Sequence, residues 1–185
     1  MNIKLISGDK IYHTSAFHYP QNDKGDEYLP DNIEFFNSFF SGVEGTGIVI
    51  GISFWQFNFE SEFINNNPLD LVKLILTNEE IERITDYKIF PGINEKIIEA
   101  NFNQITDLKR ELSNLLIRFQ LRNKKTIETC SVITDKFIKN YLNKYDMIIK
   151  GNFAYSDWFA NEGIDFFYLI INKNIVHLLS FYESD

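Results

Sequence analysis

The sequence predicts a single α+β domain in which an antiparallel sheet, built from amino- and carboxyl-terminal strands, carries central helices packed on one face. Two observations predict this fold. Strand-like alternation concentrates towards both ends of the chain and helical periodicity fills the middle, an order that favours an antiparallel sheet over a parallel βαβ array. The 185 residues are 44% hydrophobic and include 18 Phe. One domain, spanning residues 1–185, can therefore bury a core without disulfides or metals.

The amino-terminal residues predict two short strands and a polar loop. A strand at Asn2–Ser7 is followed by a Gly8-Asp9 turn and a second strand near Lys10–Phe17. The polar loop His18–Asp31 comes next, and it is longer than most connections. Long ordered loops often carry function, so this segment is the first candidate for a binding site.

A helix and the clearest strand of the sequence follow the loop. Asp31 or Asn32 caps the helix, and its apolar face holds Ile33, Phe36, Phe39 and Phe40. Three glycines within Ser41–Gly47 end it. In Phe54–Glu60 the residues Trp55, Phe57 and Phe59 alternate with Gln56, Asn58 and Glu60. This period of two predicts a half-buried strand in a sheet with one wetter face.

The middle of the chain predicts helices. Asn67-Pro68 starts one that runs through Leu76, and Thr77–Glu80 has the spacing of a capping box. Apolar residues from Ile105 to Phe119 mark the longest amphipathic helix, and a start as early as Asn94 is left open. The β-branched stretch Thr126–Ile133 is ambiguous, and Thr134-Asp135 leads a further helix.

The carboxyl end predicts three strands. They are Met147–Tyr155, Ile164–Ile171 and Ile175–Tyr182. The last two form a hairpin that turns at Asn172–Asn174. We also expect Phe54–Glu60 to lie in the same sheet as this hairpin.

The charge of the chain is negative and unevenly distributed. The net charge is −8, made up of −9 in residues 1–100, +5 in 101–150 and −4 in 151–185. An acidic surface repels phosphate backbones, so we expect no nucleic-acid partner and favour a protein partner with a basic surface. The single cysteine, the missing signal-peptide run and the short apolar stretches predict a cytoplasmic protein without a membrane segment.

No motif in the sequence carries a recognisable chemistry. The glycines after residue 41 precede a strand rather than a helix and lack the lysine of a phosphate-binding loop. The spacing of His13 and His18 matches no metal signature, so we expect neither metal nor cofactor, with these two histidines as the first ligands to test. Cys130 is expected to be a small packed residue and His177 to be half-buried or edge-facing. The basic residues from Arg118 to Lys125 either complement the end of the long helix or contact the acidic patch of a second subunit.

Two functional hypotheses follow. The first is a non-enzymatic, acidic protein-binding or inhibitory protein, similar in overall profile to cytoplasmic immunity proteins that neutralise bacterial toxins. An acidic surface would suit the basic cleft of a nucleic-acid-cleaving toxin. The alternative is a small enzyme or ligand-binding protein with an apolar pocket walled by Trp55, Phe57 and Trp158, although core packing explains these residues better. The sequence does not specify the oligomeric state.

The predicted partner contact is the loop that begins at His18. Its acids can steer a basic partner, and its tyrosines can anchor it with large contact areas. The residues assigned to this contact are Tyr19, Asp23, Asp26, Glu27, Tyr28 and Asp31.

Overall fold

The computed structural model describes residues 4–14, 33–63, 67–76, 78–81, 102–121, 124–153 and 164–184. These residues contain six strands: β1 (Leu5–Thr14), β2 (Val49–Phe59), β3 (Phe102–Gln104), β4 (Met147–Phe153), β5 (Ile164–Asn172) and β6 (Ile175–Ser184). Four helices are α1 (Glu34–Val43), α2 (Pro68–Leu76), α3 (Leu108–Arg118) and α4 (Ile127–Phe137). A π-helix, Ile138–Leu142, continues α4, and residues 79–81 are also helical.

The six strands form one antiparallel sheet in the order β1-β2-β6-β5-β4-β3. β5 and β6 form the predicted hairpin, in which Asn172 pairs with Ile175 across the turn residues Lys173 and Asn174. β2 pairs with β6 along its whole length, so the segment containing Phe54–Phe59 lies in the same sheet. The predicted α+β class and antiparallel sheet are confirmed.

Alternation along β2 separates two hydrophobic cores. Ile50, Ile52 and Phe54 belong to one core, whereas Trp55, Phe57 and Phe59 belong to the other. Because successive side chains of a strand point to opposite faces, the two cores lie on opposite faces of the sheet. We call them the first face and the second face. The predicted period of two is confirmed, and so is the wetter face of Phe54–Glu60, where Gln56 and Asn58 are half-buried and Glu60 is exposed, whereas residues 50–52 are buried on both faces.

Aromatic rings dominate the packing on the first face, where α1, α3 and α4 cover the sheet. Phe36 of α1 stacks on Tyr12 with ring centroids 4.3 Å apart and contacts Phe137 of α4 at 5.2 Å. Phe35 stacks on the same Phe137 at 4.5 Å. Aromatic pairs of this geometry contribute about 0.5–1.5 kcal/mol each beyond burial, so α1 and α4 are held to the sheet through one ring cluster.

α2 packs on the second face, which the prediction of helices on one face did not include. Leu71, Val72 and Ile75 of α2 are buried in the same core as Phe57 and Phe59. The helix begins where predicted, with Pro68 at its first position and the Leu69 N–H donating to Asn67 Oδ1 at 2.9 Å. Burial of the second face by this helix explains why odd-numbered residues of β2 are as apolar as even-numbered ones.

The predicted turn at Gly8-Asp9 is wrong. β1 runs without interruption from Leu5 to Thr14 and pairs with β2 across this point, where Gly8 lies opposite Phe57. Register irregularities lie on both sides, between Leu5 and Ser7 and between Lys10 and Tyr12. β-Bulges of this kind bend a strand and are common at sheet edges, so the edge strand accommodates the glycine without turning back.

The structure shows how two of the predicted helices begin. α3 begins only at Leu108, because Asp107 Oδ1 caps it by accepting from the Arg110 N–H at 2.9 Å, and β3 occupies residues 102–104 just before it. An uninterrupted helix from Asn94 is therefore wrong. At residues 78–81 the cap that the structure describes is Asn78, whose Oδ1 accepts from the N–H of Glu80 at 2.9 Å, and the predicted cap Thr77 lies outside the described residues.

The ambiguous β-branched stretch after residue 126 is helical. Thr126 caps α4 by accepting from the Thr129 N–H at 3.1 Å, so the helix starts eight residues before the predicted Thr134. Cys130 and Ile133 of this turn are buried in the core of the first face. Tertiary packing therefore outweighs the β propensity of the stretch.

Candidate functional site

The predicted partner contact lies outside the described residues. This holds for Tyr19, Asp23, Asp26, Glu27, Tyr28 and Asp31, and also for His18 and Trp158. The backbone of His13 lies in β1, opposite Ser53. Among the residues that the structure describes, no group of three His, Cys, Asp or Glu side chains is placed to hold a metal ion.

Three residues considered for chemistry are part of the packed interior. Trp55 and Phe57, the proposed pocket walls, are buried in the core of the second face. Cys130 is fully buried, and burial raises the pKa of its thiol while the positive charge of Lys125 acts in the opposite direction. A thiol held in its neutral form is a poor nucleophile, and the prediction of a packed cysteine is confirmed.

Charge is segregated between the layers that cover the two faces. The acidic segment, which we define as the described residues of 60–81, contains five acids and one lysine, Lys73. All five acids are exposed: Glu60, Glu62, Asp70, Glu79 and Glu80. The basic layer, defined as the described residues of 108–142, contains seven basic side chains and three acids. α2, with most of the acidic segment, and the basic layer therefore pack on opposite faces of the sheet.

The basic layer directs much of its charge to acids of the same chain. Arg118 pairs with Glu183 of β6 at 2.8 Å, and Lys136 with Glu34 of α1 at 3.4 Å. Lys109 and Lys139 both pair with Asp135, and their hydrogen bonds hold its pKa below the usual range. Because its guanidinium is paired within the chain, Arg118 is less available for the acidic patch of a second subunit, which was one of the two roles left open for it.

Polar side chains replace the apolar core at one end of the first face. We call Ser7, Asp9, Gln56, Asn58 and His177 the polar patch. Ser7 lies directly opposite Asn58, and Asp9 and His177 lie opposite Gln56 on its two sides. Residues directly opposite in antiparallel strands project to the same face with Cβ atoms about 5 Å apart. Three neighbouring strands thus bring these five side chains together.

Three hydrogen bonds connect four members of the polar patch in series. His177 Nε2 lies 3.1 Å from Gln56 Oε1, and Gln56 Nε2 lies 3.5 Å from Asn58 Oδ1. Asn58 Nδ2 donates to Ser7 Oγ at 2.9 Å. Because the amide oxygen of Gln56 can only accept, Nε2 of His177 carries its proton, which leaves Nδ1 unprotonated.

Burial sets the protonation of His177. The side chain is only 5% exposed and stacks on Phe54 with ring centroids 5.7 Å apart. Desolvation lowers the pKa of His177 to about 4, although the Ile170 backbone acts weakly in the opposite direction. His177 is therefore neutral at physiological pH. It lies in β6, between β2 and β5, so the expectation of a half-buried or edge-facing histidine is wrong.

A π-helix lies beside the inner end of the polar patch. It presents Tyr141, which contacts Phe54 edge-on at 6.4 Å, and it ends at Asn143 with φ of 56°. π-Helical turns and left-handed non-glycine residues are both uncommon and recur at functional sites. Phe54 thus contacts both Tyr141 and His177, which links the π-helix to the polar patch.

Part of the polar patch is visible in the sequence. Gln56 and Asn58 were predicted to share the wetter face of one strand, and His177 to lie in a strand. What the sequence could not supply is the register, because Ser7 and His177 are 51 and 121 residues away from their hydrogen-bond partners.

In the described part of the chain, no helix combines the length and apolar character that crossing a bilayer requires. No protein-family model, curated protein or solved structure matches this chain.

Proposed function

We propose that this chain is a non-enzymatic, acidic protein-binding protein that acts by occupying a basic surface of its partner. The observation that carries the proposal is the acidic segment, where five exposed acids accompany a single lysine. Complementary charge accelerates encounter and disfavours partners of like charge. α2 and Ile81 of this segment pack on the face opposite the basic layer, so a basic partner can approach the acids of α2 and of residues 79–80 without meeting that layer.

An inhibitory role is the finer form of the proposal. A nucleic-acid-cleaving toxin presents a basic cleft, and an acidic protein that fills the cleft would block it, as a cytoplasmic immunity protein does. The internal ion pairs of the basic layer support this role, because Arg118 and Lys136 contribute their charge to the fold. An aromatic-walled pocket receives less support, since Trp55 and Phe57 are closely packed core residues.

The test compares two double variants that remove the same charge. Asp70→Asn with Glu79→Gln removes two acids from the acidic segment, each in or near a first helical turn. Glu44→Gln with Glu128→Gln is the matched control, because both acids are exposed and lie outside the segment. A pull-down from the native host identifies the partner, and stopped-flow mixing then measures the association rate at 0.05 M and 0.5 M salt.

We expect the segment variant to associate about 3- to 10-fold more slowly at low salt, with the difference shrinking at high salt as charges are screened. The control should change the rate by less than about twofold, because its charges lie away from the contact. Equal slowing by both variants would mean that net charge alone matters and would refute the acidic segment as the contact.

A further inference from the structure

The polar patch has a composition that the acidic segment does not explain. It lies on the first face of the sheet, whereas α2 and its neighbours cover the second. Ser7, Gln56 and Asn58 are half-buried, Asp9 is exposed, and no member carries a positive charge. Lys10, the nearest base along β1, projects to the opposite face, where its ammonium lies 5.9 Å from the Trp55 ring.

The polar patch is rich in hydrogen-bond acceptors. The internal hydrogen bonds use one lone pair on each of Gln56 Oε1, Asn58 Oδ1 and Ser7 Oγ, and every such oxygen has a second. The Asp9 carboxylate adds two oxygens, and no residue in the described part of the chain forms an ion pair with it. One negative charge therefore stands beside several neutral oxygens.

These groups favour a planar cation over other ligands. An anion would meet the Asp9 carboxylate, and an ammonium is a point charge with no directional match to several spread acceptors. A guanidinium carries five N–H donors in one plane, so it can bind a carboxylate and neighbouring amide oxygens at once. It is also more weakly hydrated than an ammonium, which suits a half-buried surface.

We propose that the polar patch binds the guanidinium of an arginine on a second protein that approaches the first face, with Asp9 as the counter-charge and Gln56 and Asn58 as additional acceptors. The hydrogen-bonded series from His177 to Ser7 fixes both amides, so their oxygens are held in place before binding. This site lies on the opposite face of the sheet from α2, so it is independent of the contact proposed for the acidic segment. The recognition chemistry itself requires only an arginine side chain.

The test uses the purified chain and a probe rather than the unknown partner. Nitrogen-15 NMR spectra follow the side-chain amide signals of Gln56 and Asn58 while N-acetyl-argininamide is added. The uncharged isostere N-acetyl-citrullinamide and the ammonium N-acetyl-lysinamide are titrated in parallel. Asn114, an exposed amide on α3, provides an internal reference.

We expect saturable shifts of the Gln56 and Asn58 signals with the arginine probe and a dissociation constant in the millimolar range, about 4 kcal/mol of binding. Asp9→Asn should weaken this binding at least about 10-fold, because it removes the counter-charge while preserving size and exposure. The citrulline probe should produce no saturable shift, and Ser7→Ala should weaken binding only about twofold.

Equal binding of the arginine and citrulline probes, or binding unaffected by Asp9→Asn, would overturn the guanidinium site. So would shifts at Asn114 as large as those in the polar patch. The result is separable from the proposed function. If the arginine probe binds but the acidic-segment variants do not slow association, the guanidinium site stands and the proposed function is refuted. If the variants slow association but the arginine probe does not bind, the proposed function stands and the guanidinium site is refuted.

Discussion

The two faces of the sheet carry equally buried cores beneath surfaces of opposite charge. Phe54 on the first face and Phe57 on the second are both fully buried, although they are only three residues apart on β2. Above Phe54 lies the basic layer, with seven basic side chains and three acids, and above Phe57 lies the acidic segment. Similar burial under dissimilar surfaces indicates that the charge difference is not needed to cover the sheet, so it is available for recognition.

The faces also differ in how they treat polar groups. The core of the second face is aliphatic and aromatic throughout its described members. The first face instead contains the polar patch, which includes the buried His177. Buried polar groups are costly unless they are hydrogen-bonded, so the first face is where stability depends most on pH.

The largest effect should come from removing one ring from each core. Phe54→Ala and Phe57→Ala should each destabilise the chain by about 3–5 kcal/mol, through lost burial and a residual cavity. Among the described residues the two rings share no aromatic partner, so the double variant should be additive within about 0.5 kcal/mol. Urea unfolding measures all three values. A coupling energy above about 1 kcal/mol would show that the two cores are not independent.

His177 should make the first face acid-sensitive. Its pKa is about 4 in the folded chain, and a histidine of the unfolded chain has a pKa near 6.5. The unfolded state therefore binds the proton first. Stability is complete above pH 6.5 and falls as the pH approaches 4, by about 3 kcal/mol in total.

The measurement is the free energy of unfolding at pH 7, 5.5 and 4.5 for the natural chain and for His177→Leu. Carboxylates titrate in the same range, so the difference between the two proteins isolates the histidine. That difference should change steadily between pH 6.5 and 4. A constant difference would show that His177 is protonated, or exposed, in the folded state.

The backbone of α1 at Gly42 lies close to the backbone that follows α3. A Cβ on Gly42 would lie 2.3 Å from the backbone oxygen of Phe119, and the Leu121 N–H donates to the Gly42 oxygen at 3.1 Å. Gly42→Ala should therefore cost about 1–3 kcal/mol, because neither backbone can move without losing this contact. Gly151→Ala on the second face meets the ring edges of Phe167 and Phe102 instead. It should cost a similar amount, because the ring of Phe167, the nearest contact, is fully buried and cannot move aside, and thermal unfolding of both variants measures the two costs.

The sequence predicted the elements whose signals are local. The hairpin follows from its turn residues, and Lys173 adopts the positive φ of 54° that a tight turn requires. α2 follows from Asn67 and Pro68 at its start. β1 was misread because its pairing with β2 overrides the turn tendency of Gly8-Asp9, and α4 because packing of Cys130 and Ile133 overrides β propensity.

The candidate sites depended on information that one sequence does not contain. The negative charge of residues 1–100 was visible as composition, but the acidic segment was not singled out, and its place on the second face follows from the packing of α2. The polar patch required the register of three strands that are distant in sequence. Its central histidine looked like an ordinary strand residue until Gln56 was placed opposite it.

The smallest effect on stability should come from the loop predicted at the sequence level as the partner contact. Changing Asp23, Asp26, Glu27 and Asp31 to Asn or Ser should alter the free energy of unfolding by less than about 0.5 kcal/mol, as exposed substitutions usually do. If the loop steers the partner, association should slow at low salt, and the slowing should fade as the Debye length shortens to about 10 Å at 0.1 M.

The comparison with the acidic segment makes this experiment decisive. Two acidic surfaces that contact the same partner should slow association roughly additively when both are changed, because each removes a separate part of the steering field. A loop variant that associates at the natural rate at low salt would exclude the loop as the electrostatic contact. The acidic segment would then stand alone, and Asp185 would be the next acid to change, since Glu183 is already paired with Arg118.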